Sequence, residues 1–154
     1  MNYLILINIW WYSMAHNVDH RLIESIVETE SSYRPHITGK VGEIGLMQLK
    51  PYYLPGPLSL YHPETNIAIG VRELVKLKRL QPKLGRYWYV AWNMGATGSL
   101  NYAKTKDISK FSYAIKVGGL MEAKGVPYET VELWEPAKLA WFPLPFAKGY
   151  ALRR

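Results

Sequence analysis

The strongest constraint on the fold is an amphipathic segment that lies between Asp19 and Pro35. Asp is a common helix N-cap and Pro cannot continue a helix, so the sequence predicts a helix over about residues 19–32. At about 100° per residue, one face of this helix carries four apolar side chains: Leu22, Ile23, Ile26 and Val27. The remaining elements must therefore pack against this face.

Glu30 lies on the same apolar face, one turn after Ile26, whereas Glu24 and Glu28 point towards water. Partial desolvation at such a position disfavours the carboxylate and raises its pKa. A carboxyl that stays protonated near neutral pH can serve as a general acid. An ordinary ion pair is the alternative, and Arg34 could supply the cation. This helix alone does not decide between the two.

Motifs that follow Glu30 bear on the choice between a general acid and an ion pair. They are Ser31-Ser32-Tyr33-Arg34-Pro35, then Gly45-Leu46-Met47-Gln48, and further along Ala91-Trp92-Asn93-Met94-Gly95. Their order and spacing resemble those of the lytic transglycosylases of the goose-lysozyme-like superfamily. The resemblance covers about residues 5–118.

The resemblance implies a fold. It predicts an α+β, predominantly α-helical, lysozyme-like domain over residues 1–125, with a small β-hairpin or irregular lobe beside the cleft. That lobe corresponds to the polar, glycine-bearing stretch 36–43. Residues 126–154 are rich in proline and aromatic residues, and we expect them to form an extension that packs on the domain or docks a partner.

It also implies an activity and a set of site residues. The resembled enzymes cleave the bond between N-acetylmuramic acid and N-acetylglucosamine in peptidoglycan, assisted by the substrate's N-acetyl group. They close a 1,6-anhydro ring, and they consume no water and need no cofactor. Glu30 would be the single acid/base. The residues matched by position to substrate binding are Ser31, Met47, Gln48, Trp92, Asn93 and Tyr113.

The resemblance also implies roles for individual residues. Ser31 would fix the helix end, and Tyr113 would orient Glu30. The amide of Gln48 offers a donor and an acceptor to an acetamido sugar. Met47 either lines the cleft or fills the core, and Asn93 is expected to bond backbone around the cleft. We interpret the pattern Asn66-x-x-x-Gly70 as structural.

Departures from the family pattern keep alternatives open. Trp92 replaces the usual Tyr, and Lys50 stands where many relatives have an apolar residue. Glu43 is either a second carboxylate facing the cleft or a solvated turn residue paired with Lys40. A hydrolytic muramidase, or a catalytically weak wall-binding component of a virion or secretion apparatus, therefore remain alternatives.

Charge and composition exclude some classes. The net charge of +7 favours an anionic partner, and nucleic acid, anionic lipid and the bacterial cell wall all qualify. Because the basic residues are scattered, the charge does not choose among them; the resemblance implies peptidoglycan strands and not nucleic acid. The lack of Cys excludes disulfides, thiol nucleophiles and Cys metal sites. His16 and His20 have metal-ligand spacing, but the expected helix break falls between them and Asn17 replaces a zinc-protease Glu. We predict no metal site.

The N-terminal stretch 1–15 is apolar but lacks a basic n-region. We interpret it as a first helix over the core, too short to span a bilayer, and not as an export signal. The compact size and the extension favour a phage setting, in lysis or in a virion, acting at the bacterial cell wall in the periplasm. A secretion system is the alternative, and phage virion or secretion-apparatus proteins would bind the extension.

Overall fold

A computed structural model describes residues 3–53 and 57–126 of the chain. The α-helices in these ranges are α1 (Tyr3–His16), α2 (His20–Ser31), α3 (Pro63–Leu77), α4 (Gln81–Leu84), α5 (Ala91–Thr105) and α6 (Ser112–Ala123). Short 3-10 turns join them at Pro51–Tyr53, Pro57–Tyr61, Lys78–Leu80, Gly85–Val90 and Ile108–Lys110. The predicted predominantly helical architecture is confirmed.

Helix α2 packs against both α1 and α6, while α1 also packs along α3. Asp19 caps the N-terminus of α2 by accepting a hydrogen bond of 2.8 Å from the backbone N–H of Arg21. The four predicted apolar side chains of α2 are at most 1% exposed. Their burial stabilises α2 in the middle of the domain.

Helix α1 occupies the position predicted for the first helix and covers the core with Ile5 and Ile9, both at most 1% exposed. Its outer face is also apolar and exposed, with Tyr3, Leu4, Ile7 and Trp10. Within the described ranges, the helices are all too short or too polar to cross a membrane.

The lobe beside α2 is irregular, and the alternative β-hairpin does not form. Its only backbone pairings in the described ranges are two isolated antiparallel bridges, Thr38 with Ile44 and Ile44 with Leu49. The backbone takes positive φ at Gly42, Gly45 and Gln48. These frequent turns interrupt the extended conformation that a strand ladder needs, so neither bridge lengthens into a hairpin.

Asn66 of α3 ties this lobe to the helical body. Its buried amide nitrogen donates to the carbonyl oxygens of Ile44 and Leu60, at 2.8 Å each. Its oxygen accepts from the backbone N–H of Met47 at 2.8 Å. One side chain therefore satisfies three backbone groups that would otherwise be buried without partners.

Glycines provide the close approach that this arrangement needs. A Cβ on Gly45 would lie 2.6 Å from the carbonyl oxygen of Leu60, and Gly45 has φ +77°. Gly70, one helical turn after Asn66, leaves the space that the Met47 side chain fills. The Asn-x-x-x-Gly pattern thus has the structural role that we predicted.

The apolar pattern of residues 108–124 predicts a single helix with Phe111 and Ile115 facing inward, and two details of this prediction are wrong. Ile115 is 59% exposed, and the buried face of α6 carries Tyr113, Ala114, Val117 and Met121 instead. The predicted single helix from residue 108 divides, because Asp107 caps a separate 3-10 turn and α6 starts only at Ser112. This later start changes which side chains face the core.

The turn Gly95-Ala96-Thr97-Gly98 predicts that a short aromatic helix stops there and that another follows, and this break is confirmed. Gly95 has the non-helical angles φ 76° and ψ 163°, so α5 consists of two helical parts that meet at a kink. The proposed extension 126–154 lies outside the described residues apart from Val126, and the domain boundary stays a prediction.

The contacts of Asn66 predict a large stability effect. Asn66→Ala should lower the free energy of unfolding by about 2–4 kcal/mol, because it removes three buried hydrogen bonds and leaves the backbone partners unsatisfied. Urea denaturation would measure the loss. Asn101→Ala, at an exposed position of α5, is the control and should change stability by less than about 0.5 kcal/mol. Equal losses in both variants would contradict the anchoring role.

Candidate active site

Glu30 lies in the last turn of α2, half-buried at the end of the apolar face. Tyr113 reaches it from the first turn of α6, and the Tyr113 hydroxyl donates a hydrogen bond of 2.8 Å to Glu30 Oε1. Tyr113 is itself only 6% exposed. The packing of α6 on α2 thus fixes the orientation of the carboxyl.

The surroundings favour the neutral form of Glu30. Burial has the largest influence on the pKa of Glu30 and raises it. The Tyr113 hydrogen bond and the charge of Lys116 lower this pKa, whereas the charge of Glu43 raises it. The net pKa is raised. The pKa of Tyr113 is also raised well above its usual value, mainly by burial, so its hydroxyl keeps its proton to donate. A half-buried carboxyl with a raised pKa can act as a general acid.

The alternative of an ion pair with Arg34 is not formed. The Nε of Arg34 donates instead to the backbone carbonyl of Ser31 at 3.1 Å. The other acids of α2 do have side-chain partners: Glu28 lies 2.7 Å from Lys124 Nζ, and Glu24 Oε1 lies 2.9 Å from His20 Nδ1. Among the described residues, Glu30 is the acid of α2 that has no ion pair.

Two residues assigned to substrate binding are buried. Ser31 is 2% exposed, and its hydroxyl donates 2.9 Å to the carbonyl of Val27, so it fixes the helix end as expected. Met47 is 0% exposed and fills the core beside Gly70. Neither side chain presents a surface to a sugar in this structure, and Met47 takes the core-filling position that was its alternative.

Gln48 is only partly buried and takes a left-handed backbone conformation with φ +49°. Its Nε2 donates to the carbonyl of Gly45 at 2.9 Å, which folds the side chain back over its own turn. A Cβ on Gly39 would lie 2.5 Å from the Gln48 Oε1, so the amide oxygen packs against the backbone of Gly39, where there is no side chain. The amide is fixed in a position that a larger residue at 39 would disturb.

The aromatic segment of α5 contributes Trp92 and Asn93. Trp92 is partly buried and packs on the core, and Asn93 is exposed. The backbone hydrogen bond expected from Asn93 is not formed with any residue in the described ranges, and no hydrogen bond joins either side chain to Glu30 there. The structure thus joins Tyr113 to Glu30 by a hydrogen bond, but it does not join Trp92 or Asn93 to Glu30 in this way.

Sequence reasoning missed two features of the site. Glu43 pairs with Lys50, at 2.5 Å, and not with Lys40, because the bridge between Ile44 and Leu49 brings their chain neighbours together. Lys116 lies one turn after Tyr113 on α6, and its charge acts on Glu30. The sequence signal for this position was its spacing of three from Tyr113, which places both side chains on the same face of a helix.

In the described parts of the chain, no cluster of three or more His, Cys, Asp or Glu side chains is placed to hold a metal ion. His20, one of the two histidines with ligand-like spacing, contacts Glu24.

The chain also matches a known protein family. The model of the Transglycosylase SLT domain family matches residues 8–115, and the chain belongs to that family. The matched segment contains the Glu30–Tyr113 contact, the lobe and α5.

Individual relatives are similar over parts of their length. A transglycosylase of Enterobacteria phage PRD1 is 36% identical over 109 residues, which cover 63% of this chain and 39% of that protein. Membrane-bound lytic murein transglycosylase E of Buchnera aphidicola is 39% identical over 77 residues, covering 42% and 35%. Endo-type membrane-bound lytic murein transglycosylase A of Klebsiella pneumoniae is 31% identical over 105 residues, covering 56% and 52%. The chain spans about a third to a half of the length of these relatives.

The raised pKa of Glu30 predicts a pH-dependent cost to stability. Between its unfolded and folded pKa values the folded protein binds more protons, so the stability contributed by this group falls as pH rises through that window. Glu30→Gln should therefore raise the melting temperature near neutral pH.

At a pH below the unfolded pKa of Glu the same substitution should leave the melting temperature almost unchanged. Thermal unfolding at several pH values would measure both effects. Glu28→Gln, which instead breaks the ion pair with Lys124, should not stabilise the protein at neutral pH. A neutral-pH destabilisation by Glu30→Gln would contradict the burial argument.

Proposed function

We propose that the protein is a peptidoglycan lytic transglycosylase with Glu30 as its single acid/base. One observation carries the proposal: a half-buried carboxyl with a raised pKa, held by the Tyr113 hydroxyl at 2.8 Å, in a chain of the SLT family. Similarity to proteins named lytic murein transglycosylases supports murein as the substrate.

The proposed reaction returns the proton that it uses. Protonated Glu30 gives its proton to the oxygen of the β-1,4 bond, and the bond from C1 of N-acetylmuramic acid to that oxygen breaks. The substrate's N-acetyl group assists at C1. The Glu30 carboxylate then takes the proton of the muramic acid 6-hydroxyl, whose oxygen bonds C1 and closes the 1,6-anhydro ring. No water is consumed, and Glu30 is again protonated.

Gln48, Trp92 and Asn93 are the residues that we assign to substrate contact. The Gln48 amide is partly exposed and held by its own turn, which suits hydrogen bonding to an acetamido group. The ring of Trp92 offers a face on which a sugar can stack. Tyr113 is a positioning residue, because it acts on the substrate through Glu30.

A hydrolytic muramidase is the second candidate, and the position of Glu43 favours it. Hydrolysis with two carboxyl groups needs a base or nucleophile across the bond from the acid. Glu43 is close enough for its charge to act on Glu30, and its pairing with Lys50 lowers its pKa and keeps it ionised. The products separate the two reactions, since hydrolysis adds one water that anhydro formation does not.

Similarity to the phage PRD1 transglycosylase supports a phage setting, with the enzyme acting on the cell wall during lysis or genome delivery. Virion or secretion-apparatus proteins remain the partners that we propose for residues 126–154.

The central test is Glu30→Gln on purified murein. This variant should lose at least about 100-fold in turnover, because the amide can neither donate nor accept the transferred proton. Release of soluble muropeptides would measure the rate. Glu28→Gln, the same change two residues earlier, is the matched control and should keep nearly full activity, since Glu28 is paired with Lys124.

Mass analysis of the wild-type products completes this test. Muropeptides that weigh one water less than hydrolytic fragments are the expected result. Reducing muramic acid ends would establish the muramidase instead. Substantial activity of Glu30→Gln, or binding of murein with no fragment released, would overturn the proposal.

A further inference from the structure

The exposed apolar side chains of the protein are concentrated on one side of α1. Seven large apolar side chains are exposed within the described ranges, and α1 carries four of them: Tyr3, Leu4, Ile7 and Trp10. At about 100° per residue these four fall within a sector of about 120°, opposite the buried Ile5 and Ile9. We call this set of four residues the outer face of α1.

The outer face of α1 differs from the exposed face of an ordinary surface helix. Such helices normally turn charged and polar side chains towards water. In α1 no Asp, Glu, Lys or Arg occurs between Tyr3 and Ala15, and the polar side chains of Asn8 and Ser13 lie outside the sector. A continuous exposed apolar surface of this kind marks a site of interaction.

The area of the outer face argues against a second copy of the chain as its partner. A large aromatic side chain contributes at most about 250 Å² of surface. Four side chains that are 79%, 66%, 58% and 52% exposed therefore supply at most about 650 Å². A stable contact between two folded proteins takes about 800 Å² from each. Binding to a bilayer has no such lower limit, because its strength increases with the apolar area that is inserted.

Basic residues border the C-terminal end of α1. Lys78 Nζ donates a hydrogen bond of 3.4 Å to the carbonyl oxygen of Asn17, directly after the helix. Arg72 is close enough to act on His16, the last residue of α1, where burial and then the charge of Arg72 lower the pKa of the imidazole. The segment 63–80 that contains both cations carries four Lys and Arg residues against two Glu. Such an excess of positive charge beside an apolar face attracts anionic lipid headgroups.

The aromatic residues and the length of α1 fit an orientation parallel to a bilayer surface. Tyr3 and Trp10 lie at the two ends of the outer face, and rings with one polar edge prefer the level of the headgroups. A helix of 14 residues is about 21 Å long, whereas the hydrocarbon core of a bilayer is about 30 Å thick. Helix α1 is therefore too short to cross, and its inner face is already buried in the protein core.

We propose that the outer face of α1 binds the surface of a bilayer that contains anionic phospholipid. In the bound state α1 lies in the plane of the headgroups, with its four outer side chains inserted between lipids and the basic residues of segment 63–80 close to lipid phosphates. The residues assigned to the candidate active site all lie outside α1. The inference therefore does not rest on the proposed reaction, and the failure of one leaves the other standing.

The test measures how tightly the full chain binds sedimenting lipid vesicles. One kind of vesicle contains phosphatidylcholine alone, and the other contains phosphatidylcholine mixed with phosphatidylglycerol. The full chain should bind the mixed vesicles more tightly than the neutral ones, and added salt should reduce the difference. Ile7→Glu should weaken binding to the mixed vesicles at least about 10-fold, because a carboxylate replaces an inserted apolar side chain.

Ile115→Glu is the matched control for this substitution. Ile115 lies on α6 and is 59% exposed, against 58% for Ile7, so both variants lose the same exposed side chain and gain the same charge. The control should bind the mixed vesicles within about 2-fold of the wild type, because a charge away from the bilayer is screened by salt. Thermal unfolding checks that both variants are folded.

Tighter binding to the mixed vesicles that is lost in Ile7→Glu and kept in Ile115→Glu supports the proposal. Absence of binding by the full chain, equal binding to both kinds of vesicle, or equal losses in the two variants would overturn it. Sedimentation velocity and melting temperatures identify the other occupants of the face. An oligomer that Ile7→Glu dissociates would assign the face to a second copy. A chain that binds no vesicles and melts at a lower temperature after Ile7→Glu would assign it to residues 127–154, and either result overturns the proposal.

Discussion

The buried amide of Asn66 is the interaction on which the geometry of the site depends. It holds the turn Gly45–Gln48 against α3 through hydrogen bonds to both sides of that turn. This turn fixes the Gln48 side chain. The bridge between Ile44 and Leu49 places Lys50 beside Glu43. An irregular lobe without a strand ladder would otherwise have little to define its shape. One polar side chain thus supplies the order that a hairpin usually gives.

Much of this arrangement could be predicted from the sequence, because it depends on local periodicity and chemistry. The bounds of α2 and the burial of its apolar face follow from the Asp19 cap, Pro35 and the helical repeat. The position of Glu30 at the end of that face follows from the same repeat. The motif resemblance added Tyr113, which no local pattern connects with Glu30.

What the sequence did not predict depends on contacts between distant segments or on the start of an element. Ile115 was assigned to the wrong face because the helix begins at Ser112 and not at residue 108. The choice between cleft and core for Met47 stayed open in the sequence because packing on Gly70, which buries it, is such a contact. The choice of Lys50 over Lys40 as the partner of Glu43 depends on how the lobe pairs its backbone.

The hydrogen bond between Glu30 and Tyr113 joins positions 83 residues apart. During synthesis the carboxyl emerges 83 residues before the hydroxyl that orients it, which belongs to the last described helix. A growing or C-terminally shortened chain that lacks α6 leaves this group without its partner and with more water around it. The Glu30 carboxyl can therefore be oriented and shielded from water only once the chain as far as α6 has been made and has folded.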